Sequence, residues 1–276
     1  MPISINGSGF NAGGGTGLNG ALSIQKNYER LSSGRRLNRS ADDPSGVAIS
    51  ESLEALTRSL SAAQRNTTSG VSLASVREGA LSSVTDLTTR MRELAVQAAD
   101  GALSSTDRGY IDTEFQQLKE EVGRVSGSVE FNGQKVLSGA AGEVNIQVGT
   151  GSGAGDQIAL KTGGIDTASL GLDGLSLAGG NGASALAALD QLDGAQAAVN
   201  MARADNGASL NRLVESQQSS LDRRTSLVAA NSTIRDTDFA EETSSLARNQ
   251  ILQAARISVL AAANQGAALA LNLLNR

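Results

Sequence analysis

Apolar residues repeat at steps of three and four along two long stretches of this chain. In the first, Ile49, Leu53, Leu56, Leu60 and Ala63 recur, and the rhythm resumes at Leu81, Val84, Leu87, Met91, Leu94 and Ala98. This is the stripe of a coiled-coil-like helix. Residues 46–98 predict a rod of about 80 Å at 1.5 Å per residue. Asp43 ahead of Pro44 reads as an N-cap followed by the helical position where proline is welcome. Gly70 and Gly79 weaken the rod without ending it. In the second stretch, from near Ser184, Leu186, Leu189, Leu192, Val199, Leu210, Leu213, Leu221 and Val228 form another stripe. A polar break, NSTIRDTD, follows. Asp238 with Glu241 then caps a last helix predicted to run almost to Arg276.

Shorter elements lie between and before these rods. Asp100-Gly101 breaks the first one, and Ser104 with Asp107 reads as a capping box opening a helix over 105–126. Ile111, Phe115, Leu118, Val122 and Val125 fit one face of it. In SVEFNGQKVL, Asn132-Gly133 between two β-prone runs predicts a hairpin, because both central turn positions need positive φ. EVNIQVG and QIALKTG are strand candidates around a GTGSGAG tip. Seven of the 32 glycines lie in residues 7–20 and fourteen in 133–182. Each glycine costs about 1 kcal/mol in a helix relative to alanine, so the head is not expected to be helical alone. A short helix is expected to start near Asn19, with Ala21, Ile24, Tyr28 and Leu31 on one face and Gly34 as its stop. The whole predicts a mainly α fold. Two long helices form an antiparallel hairpin, a coiled-coil-like bundle with a small β-hairpin region and paired terminal helices.

Residues 243–276 carry only three charges, Arg248, Arg256 and Arg276, while Leu246, Ile257, Leu260, Leu271 and Leu274 recur at heptad-compatible spacing. Acids sit only in the first turn, as the helix dipole favours. The short helix near 19–33 is the obvious intramolecular partner, and that pair alone buries little. Periodicity admits two readings: burial against other copies of the chain, or packing on its own domain. A membrane-surface helix needs a stronger basic face than three arginines.

Composition narrows the chemistry. The 276 residues contain no His, Cys or Trp. Zinc sites of the usual kind, Cys or His nucleophiles, His bases and disulfides are therefore excluded. Six aromatic residues and a net charge of −5 argue against nucleic-acid partners. No run of 18 apolar residues exists, so no membrane insertion is expected. The start lacks the basic and apolar regions of a secretory leader, which by itself predicts a cytoplasmic protein. Gly15-x-Gly17-x-x-Gly20 spells a dinucleotide fingerprint but follows no strand. Gly149-x-Gly151 follows one, but no helix comes after it. Asp42-Asp43 reads as a helix cap before a cation site. Glu120-Glu121 and Glu241-Glu242 read as solvated helix surface. No nucleophile–base–orienter set is present, so neither an enzyme nor a cofactor or metal site is expected.

Several segments together resemble one family. ERLSSGRRLNRSADDPSGVAIS (29–50) is similar to the amino-terminal signature of bacterial flagellins. RMRELAVQAA (90–99) and GRVSGSVEFNGQKVL (123–137) resemble their next stretches, and residues 230–265 resemble their carboxy-terminal block. The Gly-rich head and the ending GAALALNLLNR depart from the family pattern. The resemblance implies a short flagellin without the variable outer domains. Residues 1–34 and 236–276 would form an inner-core domain. Residues 35–235 would form a rod domain, with a β-hairpin region at about 128–162.

The resemblance further implies a structural subunit that self-assembles into the flagellar filament for motility, with a hook–filament junction protein as the alternative. A degrading flagellin of the HExxH kind is excluded, since there is no His. The implied partners are further copies of the chain, the flagellar cap, junction proteins, an export chaperone and the export apparatus. The implied location is extracellular, reached without a cleaved signal peptide. Inner-core assembly falls to Ile24, Tyr28, Leu31, Leu246, Ile257, Leu260, Leu271 and Leu274, and filament switching to the hairpin turn Asn132-Gly133. Recognition by the vertebrate Toll-like receptor for flagellin is carried over onto Arg90, Leu94 and Glu114, with Thr89 where a Gln is common. The plain alternative is core packing for Leu94 and a solvated face for Arg90 and Glu114.

Overall fold

The computed structural model describes the backbone of residues 11–179 and 182–274, and the side chains of 21–179, 182–266 and 268. Among these residues five α-helices and four strands follow in order: α1 (Asn11–Ser33), α2 (Pro44–Ala98), α3 (Ser105–Ser128), β1 (Glu130–Phe131), β2 (Gln134–Lys135), β3 (Gly142–Gln147), β4 (Gln157–Thr162), α4 (Ala183–Arg235) and α5 (Phe239–Leu274), with one 3-10 turn (Ala154–Asp156) before β4. The chain divides into two compact units. One is Leu56–Thr225; the other combines residues up to Ala55 with those from Ser226 onward.

The helix ends follow the capping chemistry. Asp43 accepts from the backbone N–H of Ser45 at 3.1 Å and from its hydroxyl at 2.7 Å, so of the Asp42-Asp43 pair it is Asp43 that opens the helix. Its partner Asp42 accepts from the N–H groups of Asn38 and Arg39 and pairs with Lys26. Ser104 and Asp107 form the reciprocal capping box of α3. Asp238 accepts from the N–H groups of Ala240 and Glu241 at the start of α5. Each such cap contributes about 1 kcal/mol.

In the larger unit, α2 and α4 run antiparallel. Arg92 meets Asp193 at 2.7 Å, Gln196 meets Thr89, and Arg203 meets Glu78 at 3.0 Å. The α2 seam follows the predicted rhythm from Leu60 onward, where Leu60, Ala63, Leu73, Ala74, Leu81, Val84, Met91, Leu94, Ala95 and Ala98 are buried; at the start of the predicted stripe Ile49 is exposed and Leu53 and Leu56 are half-buried. The α4 seam is finer-grained than the leucine stripe suggests. Ala185, Ala188, Leu192, Ala195, Val199 and Leu213 are buried, while Leu186 and Val228 of the predicted stripe are exposed. Small residues let the two helices approach closely, and Leu186 lies one position off the seam. On α3, Phe115 and Val122 fill the same core.

β1 and β2 pair antiparallel around Asn132 (φ 51°) and Gly133 (φ 77°), the two positive-φ positions of a type I′ turn. β3 and β4 form a second antiparallel pair, from Gly142 opposite Thr162 to Gln147 opposite Gln157, closed by the glycine-rich tip. Ile158 and Leu160 of β4 enter the core. Gly70, a weak point of α2 by propensity, has a structural use. A Cβ there would stand 3.1 Å from Ile146, so its absence lets β3 lie against the helix.

The head departs from expectation. α1 begins at Asn11, not near Asn19, so the Gly-rich residues 11–20 are helical. Helix propensity is a weak prior, and α1 packs along α5, which supplies the partner the isolated segment lacks. Among the described residues no helix is long and apolar enough to cross a membrane.

Candidate functional site

The smaller unit holds the terminal helices. Its connector is tied by backbone bonds: Thr237 N–H donates to the Gly34 carbonyl at 3.0 Å, and Arg36 N–H to the Arg235 carbonyl at 2.7 Å. From this junction α1 and α5 run antiparallel. A polar ladder joins them. Buried Asn27 donates to the carboxylate of buried Glu242 and accepts from Asn249 at 2.8 Å. Arg30 lies 3.6 Å from Glu242, and Gln250 donates to the Tyr28 hydroxyl at 3.1 Å. The apolar stripe is not what faces inward here: Tyr28 is exposed, and Ile24, Leu31 and Leu246 are half-buried.

Beyond the ladder the apolar side chains of α5 are only partly covered among the described residues. Ile251 is 69 % exposed, Leu252 45 %, Ile257 61 %, Val259 67 % and Leu260 45 %. Burying a side chain of this kind is worth about 1.5–3 kcal/mol, so covering these five is worth roughly 4–9 kcal/mol before the cost of association. An exposed apolar face this long marks an interaction surface. The side chains of Leu271 and Leu274 lie outside the described residues.

The receptor candidates part company. Arg90 and Glu114 are half-exposed and bonded to each other at 2.8 Å, with Glu93 on the other side of the guanidinium at 3.0 Å. Glu114 first, then Glu93, raises the Arg90 pKa. Leu94 is 2 % exposed and belongs to the helical core. The hairpin turn Asn132-Gly133 is exposed. No cluster of potential metal ligands occurs among the described residues.

Sequence reasoning missed three functional features. Asn27 and Glu242 pair the terminal helices through polar atoms, and no apolar periodicity announces such a contact. Arg108 is buried and donates to the carbonyls of Ala98 at 2.9 Å and Asp100 at 2.8 Å, closing the end of α2. Arg77 lies buried within the α2–α4 seam. A charged residue at a heptad core position was the available signal for Arg77.

The comparisons with known proteins agree with this architecture. The family model described as the bacterial flagellin N-terminal helical region matches residues 15–141, and that of the C-terminal helical region matches 189–274. The flagellar filament 30.7 kDa core protein of Treponema maltophilum is 39 % identical, with all of both chains covered. A flagellin of Halalkalibacterium halodurans is 38 % identical, covering 99 % of this chain and 100 % of its own. The crystal structure of Bacillus cereus flagellin matches with a TM-score of 0.50 and 35 % identity, over 56 % of this chain and 88 % of that one. With both terminal helical regions matched and relatives aligned from end to end, the chain belongs to the bacterial flagellin family.

Proposed function

We infer that the chain is a structural subunit of the flagellar filament, built by self-assembly and used for motility. The observation that carries this reading is the run of largely exposed apolar side chains on α5 from Ile251 to Leu260, in a family whose relatives are filament core proteins. Neighbouring copies cover that face. Because each copy presents different patches to its neighbours, the contacts do not close and a helix grows. The α1–α5 pair, within residues 1–34 and 236–276, acts as the inner core, and residues 35–235 as the surrounding rod. The filament lies outside the cell. Export without a cleaved leader, with a chaperone and the export apparatus, belongs to the same reading, as do contacts with the cap and junction proteins. The subunit works by binding alone, without covalent chemistry.

The β1–β2 hairpin adjusts rod contacts between filament states. The receptor site centres on Arg90 and Glu114, the two side chains a partner can reach, with Leu94 holding α2 in place beneath them. An Arg90→Ala protein is expected to lose signalling through the receptor for flagellin; signalling at full strength counts against Arg90 as a contact. For assembly, electron microscopy of the seeded chain at rising concentration is compared with a copy lacking 1–34 and 243–276. Filaments from the full chain alone support the reading. Failure of the full chain to polymerise contradicts it and restores the junction-protein alternative.

A further inference from the structure

In the middle of the α2–α4 seam, between apolar layers, lies a layer of polar and charged groups. Arg77 is 3 % exposed, and its Nη1 makes the one long bond to the Ala202 carbonyl, at 3.3 Å. Its Nε is buried without a partner. Asn206, one turn beyond Ala202, donates to the Ala74 carbonyl and to Glu78, and its own carbonyl oxygen is buried and unpartnered. Glu78 is held by Arg203, and Asp205 by Lys161 of β4 at 2.8 Å. Burial lowers the Arg77 pKa, and Asp205 and Glu78 oppose that shift.

The Arg77 guanidinium is therefore expensive where it stands. It is desolvated, its neighbouring carboxylates are bonded to other cations, and most of its donors lack acceptors. It also lines an open groove. Glu143 and Lys161 of the β3–β4 pair, with Gly163 just after β4, form one wall, and Ala198 and Met201 of α4 the other. Among the described residues Nη1 makes its one bond to the Ala202 carbonyl and Nε is unpartnered, and Arg77 is one of the side chains that line the groove. Met201 stands 69 % exposed at the rim.

We propose that this groove is a contact between copies of the chain, in which a neighbouring copy inserts a carboxylate side chain that completes Arg77. Charge complementarity selects the occupant. The groove offers an incompletely bonded cation beside apolar side chains, and the chain is acidic, with 28 carboxylates against 23 basic side chains. The contact also accounts for a cation that destabilises the free subunit: its acceptor arrives on assembly. This inference rests on the filament reading.

The test compares Arg77→Met with the native chain in two measurements. Replacing an incompletely paired buried ion by an apolar side chain leaves a folded subunit as stable or more so. Thermal melting of Arg77→Met monomers is therefore expected at or above the native temperature, while the critical concentration for seeded polymerisation rises at least tenfold. Met201→Glu, which puts a carboxylate into the groove from the same copy, is expected to raise it likewise. In native filaments mixed from copies carrying 15N-arginine and copies carrying 13C-labelled Asp and Glu carboxyls, solid-state NMR is expected to show a close inter-copy contact that Arg77→Met removes. An unchanged critical concentration, or filaments without that contact, overturns the groove assignment and leaves the filament reading intact. A native chain that forms no filaments overturns both.

Discussion

Replacing Arg108 by Met keeps an unbranched side chain in the core and removes every donor. The native guanidinium is 1 % exposed and bridges the Ala98 and Asp100 carbonyls at 2.9 and 2.8 Å, with the Gly179 carbonyl at 3.4 Å. Ala98 is the last residue of α2, so a positive charge there also meets the negative end of the helix dipole. Hydrogen bonds from a charged donor are each worth about 1.5–3 kcal/mol, and the orphaned carbonyls add their own desolvation. Relief from burying a cation offsets part of this loss. The balance is a destabilisation of about 3 kcal/mol. At a urea slope of about 2 kcal/mol per molar, the unfolding midpoint falls by about 1.5 M. Arg212→Met, at an exposed position, is the control and is expected to stay within about 0.5 kcal/mol. An Arg108→Met midpoint within about 0.2 M of the native value refutes the assignment of this guanidinium as the clamp on α2.

Three further outcomes follow from the same geometry. Gly133→Ala forces a side chain into the φ 77° position and is expected to cost about 1–2 kcal/mol, whereas Asn132→Gly is expected to be near neutral by urea titration. Asn27→Leu leaves the Glu242 carboxylate short of a donor and is expected to cost about 1–3 kcal/mol, read as faster amide exchange in α1; adding Glu242→Leu is expected to restore protection. The bond from Lys26 holds the Asp42 carboxyl below its usual range. The stabilisation this gives is present above the ordinary carboxylate value of about 4 and is lost as pH falls through the lowered folded value. In acid titration Asp42→Asn should lack that component, and equal acid sensitivity of the two proteins rejects it.

Much of this molecule can be read from local chemistry. Asp43-Pro44, Ser104 with Asp107, and Asn132-Gly133 each encode one backbone event through a side chain that acts within three residues, so pattern alone places them. The α2 seam is legible from Leu60 onward because its apolar residues keep the three–four rhythm; Ile49 keeps the same rhythm and is exposed. The α4 seam is less so: alanines at 185, 188 and 195 carry the contact, and the eye follows Leu186, which faces outward. Residues that act across the fold leave weaker marks. The Asn27–Glu242 bond joins positions more than two hundred residues apart, and nothing local distinguishes either side chain from a solvated one. The early start of α1 has the same origin, since its partner α5 lies at the other end of the chain. The α5 surface was legible as an apolar helix of few charges, but periodicity left two readings for what covers it, because a helix that is apolar over a broad surface does not encode its partner.

The central claim is that the open face of α5 is covered by other copies. Amide hydrogen exchange over 254–266, measured on the free chain and on its filaments, tests it most directly. These residues are exposed in the single chain. Rapid exchange in the free chain and strong protection in filaments are predicted. Equal protection of this segment in both states would contradict the account.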